Sequence, residues 1–555
     1  MRRLPRSTAV AAAAVLLLPA PALAQGGRYV GTEYDQGGIV RSIDGPVPSV
    51  DRLANQVTAA TDMMLAGLAR ERARLPYGQL DGASGGPARL ATYPAPAGSP
   101  RSDQYSVGLT QGGRHDDSFV YQVAARKTDT NRERDTSWTS FSFSGAVTVT
   151  VRKLAGTATG CLVRPQSAGI RTTFAGNACT FTLTRPVNVS VEFAPETTNP
   201  VPHPMLVFAN PPETNVPPPD APNVLYLGPG VHELGTDVPL HDGETVYVAG
   251  GAWVRAAFKA TGVHDVVIRG RGILDGTFLD TGSQATNTRQ PGLIDIDCHA
   301  PGQTPQTPCS PTENSSNVVV DGLTLVNGPR FNVRVLGDHI TVHNIKVISW
   351  WYKTDCIWAG NYSLVEDNFC KVNDDSLKPM TGPSVIRHNV VWQLEDGSPF
   401  QLSYNLEYDQ ANFHIYADDV IHDEHISNDR QAIFAALHGG AARMRRYLFE
   451  NIHVEDADWR LFNVILENNK FYDPALGYGQ ISELVFRDIR TDGQFSQAGV
   501  IAGIDPGHRV DDTSLVDLDI AGRCAQSAAD GNIAIDPATT DRIRIMASPR
   551  CRGAS

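Results

Sequence analysis

Of the acidic residues in the stretch from Trp350 to Met380, three stand out in two packets: Asp355 in KTDCI, and the pair Asp374–Asp375 in VNDDSLK. The packets lie 19 and 20 residues apart, in a region whose apolar pattern recurs about every 22 residues. If each recurrence is one coil of a parallel β-solenoid, a step of one coil shifts a side chain by only ~4.8 Å. Three carboxylates then meet on one exposed strip. Cleavage of a glycosidic bond uses that composition, an acid of raised pKa beside an ionised base. An isolated Asp-Asp pair is most often a solvated bend. Here the register, and the aromatic neighbours Trp350, Trp351, Tyr352, Trp358 and Trp392, favour catalysis, because aromatic faces stack on sugar rings.

Adjacent strand residues point to opposite faces, so Asp374 and Asp375 reach one groove only if a bulge or bend interrupts the strand. Lys378 can hydrogen-bond a sugar hydroxyl or neutralise the acids, against the plainer reading of a surface lysine. With Trp351, Tyr352, Trp392, His422 and Glu424 it completes the expected substrate-binding set. The run His422-Asp423-Glu424-His425 lacks the third spaced ligand of a zinc site, so it reads as groove lining, and no metal is expected. No glycine motif opens a helix after a strand, so no nucleotide cofactor is expected either. Gly82-Ala83-Ser84-Gly85-Gly86 matches G-x-S-x-G, but without the strand and helix that a nucleophile elbow requires.

The elements that must position these residues follow in chain order. Arg2, Arg3 and Arg6, an apolar run from Ala9 to Leu18 and Ala22-Leu23-Ala24 read as a secretion signal over residues 1–24, with a core too short to span a bilayer. Residues 25–48 read as irregular. Leu53, Val57, Ala60, Met64 and Leu68 form one stripe of a helix capped by Ser49 and stopped by Pro76. A Gly/Pro/Ser linker closes this 25–103 extension. Alternating runs such as SFVYQV, WTSFSFSG, VTVTV and VNVSVEF predict a β-sandwich over 104–209, and 210–223 is a Pro-rich connector. From residue 224 to 555, NVLYLGPGVHEL, NVVVDGLTLVNG, HITVHNIKVISW and their kin share one template, with bends at Gly322, Asn344, Asn368 and Asn389. The expected fold is all-β, a right-handed parallel β-helix preceded by the sandwich.

Loss of the signal removes three arginines and no acids, so the net charge becomes 44 − 60 = −16. That argues against nucleic acid and anionic membranes as partners, and favours a neutral polysaccharide. Eight cysteines in an exported chain imply disulfides, and they fall in close couples: Cys161/Cys179, Cys298/Cys309, Cys356/Cys370 and Cys524/Cys551. Sequential pairing is expected.

Asp355 in KTDCI and Asp374–Asp375 in KVNDDSLK resemble the three catalytic acids of glycoside hydrolase family 49, the dextranase and isopullulanase group. YSVGLTQGG, SFVYQ, WTSFSFSG and PMLVFANP are similar to that family's N-terminal sandwich. The resemblance covers about residues 100–540. It implies endo-hydrolysis of an α-glucan with inversion, Asp374 as general acid, and Asp355 and Asp375 activating water. Family 28, the polygalacturonases, shares the three-acid layout, but its Gly-His-Gly has only a loose counterpart in Leu437-His438-Gly439-Gly440. A dextran-cleaving hydrolase is therefore the expectation. An isopullulanase-type or polygalacturonase-like enzyme, or a non-catalytic β-helical carbohydrate-binding protein, remains as the alternative.

Overall fold

The computed structural model describes residues 28–82, 87–126, 135–287, 289–427, 430–470 and 472–552. The expected signal at 1–24 and most of the Gly82–Gly86 motif lie outside them. From Val224 onward the chain winds as a parallel β-helix with three faces. On the first face Val320, Val342, Val365 and Ile386 stack coil upon coil, followed by Ile415, Phe449 and Phe486. The second stacks Leu325, Val347, Cys370, Val391 and Val420. The third stacks Val333, Ile357, Leu377, Phe400, Phe434 and Phe462. All these side chains are buried in one cluster that runs the length of the solenoid. In the central coils many strands are buried on both sides, which is why those repeats read as β-branched runs.

Toward the C-terminus phenylalanines replace valines, and their rings stack along the axis: Phe400 on Phe434 at 5.2 Å and Phe449 on Phe486 at 4.8 Å between centroids. At one corner Asn368 donates from its backbone N and Nδ2 to Asn389 Oδ1, at 3.0 and 2.9 Å. Asn389 repeats the pair of bonds to Asp418 Oδ1, at 2.6 and 3.0 Å. A side-chain amide thus serves the backbone of the coil before it, which is why Asn recurs at the solenoid spacing.

Residues 28–45, expected to be irregular, instead form a hairpin. Tyr29–Asp35 pairs antiparallel with Ile39–Gly45 and with the last solenoid strand, Thr540–Ala547. Local alternation in this segment is weak, and the pairing that orders it is about 500 residues away in sequence. Helix Pro48–Arg72 follows, with Pro48 rather than Ser49 at its start. Its buried stripe lies along the outside of the first face: Val50 and Val57 against Val485 and Val516, Met64 and Leu68 against Leu364 and Val385. The helix therefore straps many coils together.

The stretch read as a linker is also anchored. Buried Asp81 accepts from Arg269 Nη2 and Arg271 Nη2 at 2.9 and 2.8 Å, and Arg89–Thr92 adds a strand to Asp135–Ser144. Among the described residues between Arg89 and Asn210 two sheets, one of five strands and one of six, share a cluster that includes Leu109, Phe141, Val149 and Val191. The outer side of the second sheet, through Tyr121, Trp138, Leu206 and Phe208, packs on the second face of the solenoid at Trp253, Ile348, Phe369 and Trp392. All four expected disulfides are present: Cys161–Cys179, Cys298–Cys309, Cys356–Cys370 and Cys524–Cys551. Among the described residues no helix is long and apolar enough to cross a membrane.

Candidate active site

The acids sit at the corner between the second and third faces. Asn332 N donates to Asp355 O at 2.9 Å, and Cys356 N to Asp375 O at 2.9 Å. These bonds place Asp355 directly over Asp375, one coil apart. Strand Phe369–Val372 has ended by Asp374, and the chain bends there before pairing resumes at Leu377. The bend answers the alternation problem, because neither Asp374 nor Asp375 lies in a regular strand. Asp375 N donates to Asp374 Oδ1 at 3.0 Å and Ser398 N to Asp375 Oδ1 at 3.2 Å. Gln393 Nε2, one coil on, donates to Asp374 O at 3.0 Å.

Two lysines divide the three carboxylates. Lys378 Nζ donates to Asp355 Oδ2 and, at 3.0 Å, to Asp375 Oδ2. Phe331 and Trp358 flank that ammonium, with centroids 5.5 and 5.3 Å away. Lys353 Nζ meets Asp374 Oδ2 at 3.1 Å and lies 4.3 Å from the centre of the Tyr352 ring. All three acids are buried, at 3–6% exposure. Burial, helped by the charges of Asp374 and Asp375, outweighs Lys378 and pushes Asp355 up to about 8. Asp375 rises for the same reasons, burial first and then Asp374. Burial acts on Asp374 as well, but Lys353 and Lys378 outweigh it and hold that carboxyl low.

Sequence reading missed Lys353 and a fourth acid, Asp396. Burial, and then the charge of Asp374, pushes Asp396 up to about 7. Its signal was available: Asp396 follows Asp374 by 22 residues, one solenoid period.

Lys378 and Tyr352 join the acids, but part of the expected substrate-binding set does not. Trp392 is fully buried against the N-terminal sheets, where its Nε1 donates to Glu424 Oε1 at 2.7 Å. His422, also fully buried, contacts Glu192 Oε1 through Nε2 and Asp456 Oδ2 through Nδ1, both at 2.7 Å. Those partners raise its pKa against the cost of burial. Trp392 and His422, which have no exposed surface, are thus corrected from groove lining to the junction between sheets and solenoid, and Glu424 is tied to that junction through Trp392. Trp351 is 5% exposed and stacks on Trp350 in the same junction cluster. Its aromaticity serves packing.

Among the described residues two groups have the spacing of metal ligands. Cys298, His299 and Cys309 contain a disulfide. In Asp419, His453 and Glu455, the Glu455 carboxylate already accepts from Arg164 Nη1 at 2.5 Å and Gln166 N at 2.6 Å. The two cysteines and Glu455 are thus already engaged within the protein.

No family model matches the chain. Two curated dextranases are similar to it, from Arthrobacter sp. (strain CB-8) and Arthrobacter globiformis, at 26% and 27% identity over 190 residues. Each match covers 32% of this chain and 29% of the relative, so the chain matches under a third of the length of these proteins. Among solved structures, Dex49A from Penicillium minioluteum superposes over 80% of this chain and 95% of its own, with a TM-score of 0.62 at 17% identity. That likeness is one of fold. The resemblance that KVNDDSLK carries to the dextranase group thus has counterparts in sequence and in architecture.

Proposed function

We propose that the protein is a secreted glycoside hydrolase that cleaves internal α-glycosidic bonds of a neutral glucan, dextran foremost, with inversion. The observation that carries this reading is the cluster itself: Asp355 stacked over Asp375, Asp374 turned to the same corner by a bend, and two lysines dividing the three. Asp374 delivers its proton to the glycosidic oxygen as the bond to the anomeric carbon breaks. Asp355 and Asp375 take a proton from a water molecule, whose oxygen attacks that carbon from the opposite side. Lys378 holds these two carboxylates together and lowers the cost of ionising them while the transition state carries positive charge. The similarity to dextranases supports the substrate class, and the net charge of −16 after loss of residues 1–24 (44 − 60) suits a neutral polymer. In this reading the two N-terminal sheets form a β-sandwich that braces the solenoid behind the acids.

The test is product chromatography after incubation with dextran, pullulan and polygalacturonate in parallel. Isomalto-oligosaccharides from dextran are expected, and Asp374→Asn lowers kcat by roughly 10²–10⁴ with the fold intact. Cleavage of pullulan alone changes the linkage, cleavage of polygalacturonate alone overturns the neutral substrate, and silence on all three favours the non-catalytic alternative.

A further inference from the structure

We infer that Lys353 is a positioning residue for the acid, a cation that sits on Asp374 until sugar on the leaving-group side displaces it. This rests on the hydrolase reading above. The two lysines of the cluster are built differently. Lys378 is sunk between Phe331 and Trp358, with 9% of its side chain exposed, and bridges two carboxylates. Lys353 leaves 40% of its side chain exposed and touches one carboxylate, with Tyr352 beneath it. Its backbone is in the left-handed region at φ 70°, as at other corners of the solenoid such as Asn344 and Asp367. Thr354 fixes that turn, its hydroxyl donating to Trp351 O at 2.6 Å and accepting from Asn373 N at 3.1 Å. The turn is thereby tied to the residue before Asp374.

Where Lys353 sits, Asp374 is held ionised, and an ionised carboxylate cannot protonate a leaving oxygen. The groups facing Asp374 are Lys353 and Asp355 from the turn above, Asp375 and Lys378 from its own segment, Asp396 from the next coil, and Tyr404 beyond, with His425 and Arg430 behind these last two. Of the cations that pair with the three acids, Lys353 is the exposed one. A sugar ring stacking on Tyr352 takes the position of its ammonium. With that cation gone, the proton carried by Asp355 is better placed on Asp374. Asp355, still bonded to Lys378, becomes the ionised base. The exchange moves one proton within the cluster and needs none from outside.

The separation of pH profiles tests this. The basic limb of kcat/KM reports the free enzyme and that of kcat the complex, each as a property of the coupled cluster. With whichever glucan the wild type cleaves, the basic limb of kcat lies above that of kcat/KM by about one pH unit or more. Lys353→Met raises the limb of kcat/KM to meet that of kcat and leaves the kcat limb in place, and Lys353→Arg restores the separation. Coincident limbs in an active wild type overturn the inference, as does a Lys353→Met enzyme in which both limbs shift together. A plain surface ion pair changes the melting temperature without separating the profiles. A wild type silent on all three glycans overturns the hydrolase reading, and the inference with it.

Discussion

Gly397 rests its α-carbon against the backbone of Asp374: a Cβ built there falls 2.2 Å from the Asp374 carbonyl carbon and 2.3 Å from the Asp375 nitrogen. The glycine is at φ 63°, and Asn373 Oδ1 accepts from the nitrogens of Glu395 and Asp396 at 3.1 and 3.3 Å to hold its loop in place. The loop 395–398 is thus the floor on which the acid bend lies. Gly397→Ala must lift that bend while leaving the solenoid columns alone. We expect kcat to fall roughly 10²-fold, the consequence of a displacement of about 1 Å at a reacting group, with an unchanged circular dichroism spectrum. A wild-type kcat would show that the floor does not set the position of the acids.

Lys378 compensates two buried carboxylates, so its loss costs more than one contact. Lys378→Met is expected to abolish turnover and to destabilise the fold by about 3–5 kcal/mol near pH 8, the range for breaking a buried ion pair. The penalty depends on pH. A carboxyl whose pKa rises on folding contributes stability fully below its unfolded value and loses it as pH climbs through the folded value. Asp355 already spans 3.8 to about 8 with the lysine present. Without it Asp355 and Asp375 titrate higher still, so the melting-temperature gap to wild type should widen from pH 4 to pH 9. A gap that stays constant would place the effect of Lys378 in packing alone.

How much of this was readable from the chain follows from where the information lies. Val320, Val342, Val365 and Ile386 recur at nearly one spacing, so the solenoid is a local pattern repeated, and Asp355 over Asp375 is that same pattern one coil apart. Beyond Ile386 the steps to Ile415 and Phe449 lengthen as loops leave the corners, and the period fades there. Trp392 and His422 were misplaced because a tryptophan beside a sugar and one beneath a docked sheet have the same local sequence. Which it is depends on Trp138 and Glu192, about 250 and 230 residues away. The 28–45 hairpin needed the last strand of the chain to exist at all.

The Cys356–Cys370 bridge ties the corner beside Asp355 to the strand that precedes Asp374, closing a loop of 14 residues. Replacing both cysteines by alanine is expected to cost about 3 kcal/mol, the loop-closure entropy for this length, and to lower the denaturant midpoint accordingly. Asp355 is still held by Lys378 and, through its carbonyl, by Asn332, so kcat should stay within a few-fold of wild type. Lost kcat at unchanged stability would make the bridge a positioning device instead.

Asp418 continues the asparagine ladder with an acid. Its Oδ1 accepts both bonds from Asn389, and its Oδ2 has no hydrogen-bond partner among the described residues. At 1% exposure burial pushes it up to about 8, against those two bonds. Asparagine offers Asn389 the same carbonyl oxygen with no charge to bury. Below pH 3.8 the acid is neutral in both folded and unfolded chains, and nothing distinguishes it from the amide. Between 3.8 and about 8 the unfolded chain ionises while the folded chain does not, and wild type loses about 1.4 kcal/mol per pH unit at the upper limit. Asp418→Asn should therefore melt with wild type near pH 3.5 and several degrees above it at pH 8, with the gap growing steadily between. If the variant melts below wild type at pH 8, Asp418 is ionised in the fold, compensated by a group other than Asn389.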